Sequence, residues 1–109
     1  MAVTSPFGSQ TRTRLLLALE LLGQSYAREL ARLLGAPLSV VQKALSSLER
    51  DGMIAGRLFG RTRLFEINPT YFAAAQLRSL IARLTAADSD LKARVAELRR
   101  RPRRTGKRL

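Results

Sequence analysis

Residues 27–65 read ARELARLLGAPLSVVQKALSSLERDGMIAGRLFGRTRLF, and within this stretch the spacing of apolar side chains changes twice. Ala27, Leu30, Ala31 and Leu34 recur at helical intervals, Glu29 lies in the first turn and Gly35 supplies a stop, which predicts a helix over 27–34. After the Gly35-Ala36-Pro37 turn a second helix is expected from Pro37 to Asp51. Proline is tolerated at its start because the first helical turn leaves that amide unpaired in any case. Val41, Ala44, Leu45 and Leu48 stand at i, i+3, i+4 and i+7, share one face and must pack inward, and Gly52 ends the run. Arg28 and Arg32 face away from the first apolar stripe. Ser39, Gln42, Lys43, Ser46 and Arg50 lie opposite the second, on a slender polar face almost free of acid.

Beyond Gly52 the period shortens. Met53 to Phe59 and Arg63 to Ile67 are β-prone runs around Gly60-Arg61-Thr62, the pattern of a hairpin. Phe65 and Ile67 share a face that covers the helices, while Arg57, Arg61 and Arg63 cluster near the tip. Three arginines around a tight loop fit contact with phosphates or a minor groove. Leu58, Phe59 and Leu64 do not fit a merely solvated loop and point to packing on a partner subunit or on the helix that follows.

Working outward, residues 1–8, with Pro6 and Gly8, read as a flexible lead-in. Ser9 is an N-cap for a core helix reaching Leu22, in which Leu15, Leu16, Leu19 and Leu22 recur before the stop at Gly23. Residues 9–69 then make one domain. Asn68-Pro69 breaks the last strand, and a long helix is expected over 70–98. Leu77, Ile81, Leu84, Leu91, Val95 and Leu98 follow heptad-like steps interrupted by Asp88, a coiled-coil seam whose second half projects past the domain and implies a homodimer. A break near Thr85-Ala86-Ala87 is the other reading, because Asp88, Ser89 and Asp90 are all good N-caps. Residues 99–109 form a basic tail.

Composition narrows the chemistry. The 109 residues contain no cysteine and no histidine, which removes disulfides, thiolates, imidazole bases and the usual transition-metal ligands. The eight acids are scattered, so no metal or other cofactor is expected, and no nucleophile, base and electrophilic stabiliser fall together as an enzyme requires. No apolar run nears the roughly 20 residues of a membrane span, and the N-terminus lacks a signal-peptide core, so the expected location is the cytoplasm. The net charge of +12 favours a polyanionic partner. Seven of the 20 basic residues lie in the acid-free segment Arg99 to Leu109, so the body of the chain is less basic than the total implies.

ELARLLG, VVQKALSSLERDGMI and GRTRLFEINP, in this order, resemble the winged helix-turn-helix of ArsR-type transcriptional regulators and their MarR-like relatives, over about Thr11 to Leu84. The resemblance implies a mainly α winged helix-turn-helix with a small β-hairpin, and the seam adds to it a long C-terminal dimerisation helix. It makes Pro37 to Asp51 the recognition helix, with Ser39, Gln42, Lys43 and Ser46 facing DNA and Arg61 and Arg63 on the wing. Metal-sensing members carry cysteine or histidine, so this chain resembles a non-metal member; any small-molecule effector is unspecified. The missing ligands are one departure from the family; the other is at the start of this helix, where Pro37 and Leu38 stand in place of the usual Ser or Thr cap and a following polar residue. The expectation is a homodimeric, sequence-specific regulator of double-stranded DNA, a repressor. The rival is a winged-helix protein–protein adaptor that uses Leu58, Phe59 and Leu64 as its docking surface.

Overall fold

Ser9 opens the first helix as its spacing predicts: the Ser9 hydroxyl accepts from the Arg12 amide at 3.1 Å, and at the far end the Gly23 amide donates to the Leu19 carbonyl at 2.8 Å. The computed structural model describes residues 7–100. Over them run α1 (Gln10–Leu22), β1 (Ser25–Tyr26), α2 (Ala27–Leu34), α3 (Leu38–Arg50), β2 (Ile54–Phe59), β3 (Thr62–Ile67), α4 (Ala74–Ala87) and α5 (Ser89–Arg100). The fold is mainly α with a small antiparallel sheet of order β1-β3-β2. Among the described residues no helix is long and apolar enough to cross a membrane.

Helix α3 is fixed by both its inner face and its end. Val41, Ala44, Leu45 and Leu48 are all buried. Past the C-cap Asp51, the Gly52 amide donates to the Glu49 carbonyl at 3.0 Å and the Met53 amide to the Leu48 carbonyl at 3.1 Å. That pair of bonds is a Schellman closure, and it requires the left-handed φ of 81° that Gly52 adopts without a Cβ penalty. Asn68, at the end of β3, then clamps the junction: its amide donates to the Met53 carbonyl and its side-chain Nδ2 to the Gly52 carbonyl, both at 2.9 Å. The hairpin is thereby set at a defined angle to α3.

Strands β2 and β3 pair from Ile54↔Ile67 to Phe59↔Thr62, leaving the two-residue turn Gly60-Arg61. Gly60 takes φ of 68° while no described non-glycine residue has a positive φ, the sign pattern of a type II′ hairpin with glycine first. Ile54, Phe65 and Ile67 reach into the core. Leu64 is buried, whereas Leu58 and Phe59 stay exposed at the tip, covered by neither α4 nor α5. Strand β1 does not appear in the sequence reading. Two residues have no period, and Ser25-Tyr26 is a strand only because β3 lies beside it, with Ser25↔Phe65 and Tyr26↔Leu64 in register.

The C-terminal region departs most from the expected long helix. No continuous helix spans 70–98: α4 begins at Ala74 and ends at Ala87, and α5 starts at Ser89. Asp88 makes the break, its carboxylate accepting from the Leu91 amide at 3.0 Å as an N-cap does. Helix α5 folds back onto α1, α2 and α4. Leu77, Ile81, Leu91 and Val95 of the proposed seam are consequently buried inside the chain, with Ile81 and Leu91 wholly inaccessible, and only Leu84 and Leu98 stay partly exposed. Most of the stripe is covered by α1 and α2 of the same chain. Arginines tie the return: Arg94 donates to the Leu33 carbonyl at 2.9 Å, Arg99 to the Leu21 carbonyl, and Arg78 on α4 pairs with Glu20 at 3.3 Å. The first two satisfy carbonyls at the C-terminal ends of α2 and α1, which helices leave unpaired.

At the other end, Phe7 joins the core and its carbonyl accepts from Arg12 Nε at 2.6 Å, so the flexible lead-in expected over residues 1–8 does not extend to it. Residues 1–6, and 101–109 of the basic tail, lie outside the described residues; Arg99 and Arg100 close α5.

Candidate nucleic-acid interface

The polar face of α3 is open. Ser39, Gln42, Lys43, Ser46 and Arg50 are all exposed, as is Val40, because Leu38, Val41, Ala44, Leu45 and Leu48 on the opposite face carry the helix's packing on the core. Beside this face, α2, α3 and the hairpin enclose an open groove of about 720 Å³. Gln42 and Ser46 line it from α3, Arg28 and Arg32 from α2, and Arg61, Thr62 and Arg63 from the hairpin tip. The groove thus has arginine on both banks and a side-chain amide between them, over a floor to which Leu38, Leu45 and Phe65 contribute, with one acid, Glu29, on the α2 side.

The expected site residues divide accordingly. Gln42, Ser46, Arg61 and Arg63 are brought together. Ser39 and Lys43 are exposed on the same helix outside the lining, and Arg50 is exposed in its last turn. Arg57 is exposed on β2, in register with Leu64. Arg28 and Arg32 were not singled out as site residues. Their signal was present in the sequence, since an i, i+4 pair of arginines opposite an apolar stripe must project outward. What the sequence lacked was the neighbour: only the packing of α2 against α3 puts them on the groove.

Arg63 differs from the free phosphate-gripping group the sequence implies. Its Nη1 and Nη2 donate to Oε1 and Oε2 of Glu49 on α3, at 3.1 and 2.5 Å. The hydrogen bond to Glu49 is the main reason its guanidinium is held above the ordinary arginine value, against an opposing effect of desolvation. Arg12 makes a second tie near the same end of α3, donating to the Ser47 hydroxyl and to Asp51 Oδ2, the latter at 2.8 Å. Neither contact is legible locally, because the partners lie 14, 35 and 39 residues apart.

No known protein-family pattern matches the chain, and no curated protein is significantly similar to it in sequence. Solved structures are similar. The adhesin competence repressor AdcR of Streptococcus pyogenes superposes with a TM-score of 0.59 at 23% identity, over 86% of this chain and 68% of that one. A variant of ZitR from Lactococcus lactis gives 0.63 at 17% identity, over 86% and 64%. Another ZitR variant, solved in complex with DNA, gives 0.57 at 17%, over 82% and 65%. ZitR is described as a zinc-responsive MarR family member. The chain spans about two thirds of the length of these proteins, and at such identities the likeness establishes architecture. The chain therefore has the winged helix-turn-helix fold seen in AdcR and ZitR, with α3 in the position of the second helix of the motif and the β2–β3 hairpin as its wing.

Proposed function

We propose that the chain is a sequence-specific DNA-binding transcriptional regulator that acts in the cytoplasm as a homodimer and represses by occluding a promoter. The observation that carries this reading is the convergence of Arg28 and Arg32, Gln42 and Ser46, and Arg61 on one open groove. In this reading α3 enters the major groove, Gln42 bonds an adenine edge through both ends of its amide, and Ser39 and Ser46 bond base edges or phosphates. Lys43, Arg50, Arg57, Arg61, Arg28 and Arg32 bind the backbone. The DNA-bound ZitR variant supports the reading by showing a protein of this fold on DNA. Of the two relatives that the sequence resembles, the MarR-like one has the similar solved structures, and the ArsR-type label finds no support among them.

Gln42→Ala is the test. Selection from a random duplex library should enrich one motif with the unmodified protein, and the variant should lose about 1–3 kcal/mol of preference at one position of it. Its affinity for mixed-sequence DNA should change little. Failure of the unmodified protein to enrich any motif would remove sequence-specific readout.

A zinc response like that of ZitR does not fit the donor set here. The chain has neither histidine nor cysteine, and among the described residues no group of three or more His, Cys, Asp or Glu is placed to hold a metal ion. The zinc response described for ZitR is therefore no part of the function proposed for this chain.

The dimer contact proposed here uses what the seam leaves available. Leu80 of α4 is 43% exposed and Leu84, one turn on, is half-buried. Sedimentation should give twice the 12.1 kDa of one chain for the unmodified protein and a single chain for Leu80→Glu. A mass of one chain for the unmodified protein would refute the dimer. A second reading, a protein–protein adaptor, is favoured by one observation, the exposure of Leu58 at 71% and Phe59 at 61% on the wing tip.

A further inference from the structure

We propose that Arg63 is a positioning residue that latches the wing to the recognition helix through Glu49, and that Gly56 is the residue that leaves room for the latch. The geometry stands on its own; its consequence for DNA rests on the function proposed above.

Three contacts define the latch. Both outer nitrogens of the Arg63 guanidinium bond the two oxygens of Glu49 in a fork-to-fork pair, the arrangement that fixes direction as well as distance. The same guanidinium lies 5.2 Å from the ring centre of Phe65, a buried residue two positions along the same strand face. The ring thus forms a rigid floor under a flexible side chain. The third contact is with Gly56, which is in register with Phe65 on the neighbouring strand. A Cβ at position 56 would come within 2.6 Å of Arg63 Nη2 and 2.9 Å of Phe65 Cε1.

Gly56 is the informative residue. Glycine weakens a strand interior, and this one is not among the glycines with positive φ, so its backbone does not demand glycine. The close approach of Arg63 and Phe65 accounts for its presence. With its charge paired to Glu49 and its plane fixed by that fork, Arg63 has to give up the pair to turn toward a phosphate. Arg61, two residues earlier at the turn, has no ion pair among the described residues and takes that role. Arg12 holds Ser47 and Asp51 from α1 while Arg63 holds Glu49 from the wing, so the last turns of α3 are gripped on two sides.

The experiment compares Arg63→Ala, Glu49→Gln and Gly56→Ala with the unmodified protein, reading duplex binding across a salt series and hydrogen exchange of the β2 and β3 amides. Charge alone makes opposite predictions for the first two, since removing an acid from a surface offered to a polyanion tightens binding. The latch predicts that all three variants weaken binding by about two- to fivefold, the range of a partly exposed ion pair, with the salt slope unchanged and faster exchange in the wing. Gly56→Ala keeps both charges, and a melting curve confirms that it folds. A slope reduced by about one unit in Arg63→Ala, with tighter binding by Glu49→Gln, would make Arg63 a phosphate ligand and overturn the latch. If the unmodified protein shows no salt-dependent binding, the DNA reading falls and exchange decides alone: faster exchange in Arg63→Ala and Glu49→Gln upholds the latch, and unchanged exchange overturns it.

Discussion

Replacing Arg28, Arg32 and Arg61 together by alanine should weaken binding to duplex DNA by on the order of 10²-fold near 0.1 M salt and take about three units off the slope of log K against log salt. All three are exposed and line the groove, yet they come from different elements, two from α2 and one from the wing turn. Each phosphate neutralised releases close to one counterion, so independent contacts add in the slope even when their energies do not. The loss should be nearly the same on every sequence, because backbone contacts carry no base information. Stability should barely move, since none of the three side chains is buried. Fluorescence titration at four or more salt concentrations measures both quantities. A slope equal to that of the unmodified protein would place the backbone contacts elsewhere.

Leu91→Ala should destabilise the single chain by about 3 kcal/mol and lower the melting temperature by more than about 10 °C. The leucine is wholly inaccessible, on α5 where it folds against α1, α2 and α4, so truncation removes buried methyl groups and leaves a cavity. Were Leu91 in an intersubunit seam, its truncation would lower the assembled mass. The structure predicts a large drop in melting temperature at every protein concentration, with the assembled mass unaltered. Denaturant or thermal unfolding at two concentrations, together with light scattering, separates the alternatives.

Elements with local signals were readable from the residues. Ser9, Gly23, Gly35 and the Gly52-Met53 junction mark helix ends through side-chain caps and left-handed glycines, and Gly60 marks the hairpin turn. Strand β1 was not readable, because its two residues become a strand only through Leu64 and Phe65, about forty positions later. The C-terminal helices show a different difficulty. A heptad stripe and the inner face of two helices folding back on a core have the same spacing, so Leu77 to Leu98 fits both, and Asp88 as an N-cap decides between them. In the site, Gln42 and Ser46 lie on the outward helix face that periodicity reveals, and Arg61 lies in the turn that Gly60 marks. The Arg63–Glu49 pair could not be read in the same way, since it depends on how the hairpin swings back over α3, an angle set by Asn68 and Gly52.

The most direct test of DNA binding is the salt dependence of the unmodified protein on mixed-sequence duplex DNA. Six exposed basic residues, Arg28, Arg32, Lys43, Arg50, Arg57 and Arg61, lie on or beside α3 and the wing. If four of them reach phosphates, the slope of log K against log salt should be about −3.6, and steeper if more do. A slope near zero, or no binding at low ionic strength, would contradict a DNA-binding function and leave the exposed Leu58 and Phe59 of the wing tip as the surface to explain.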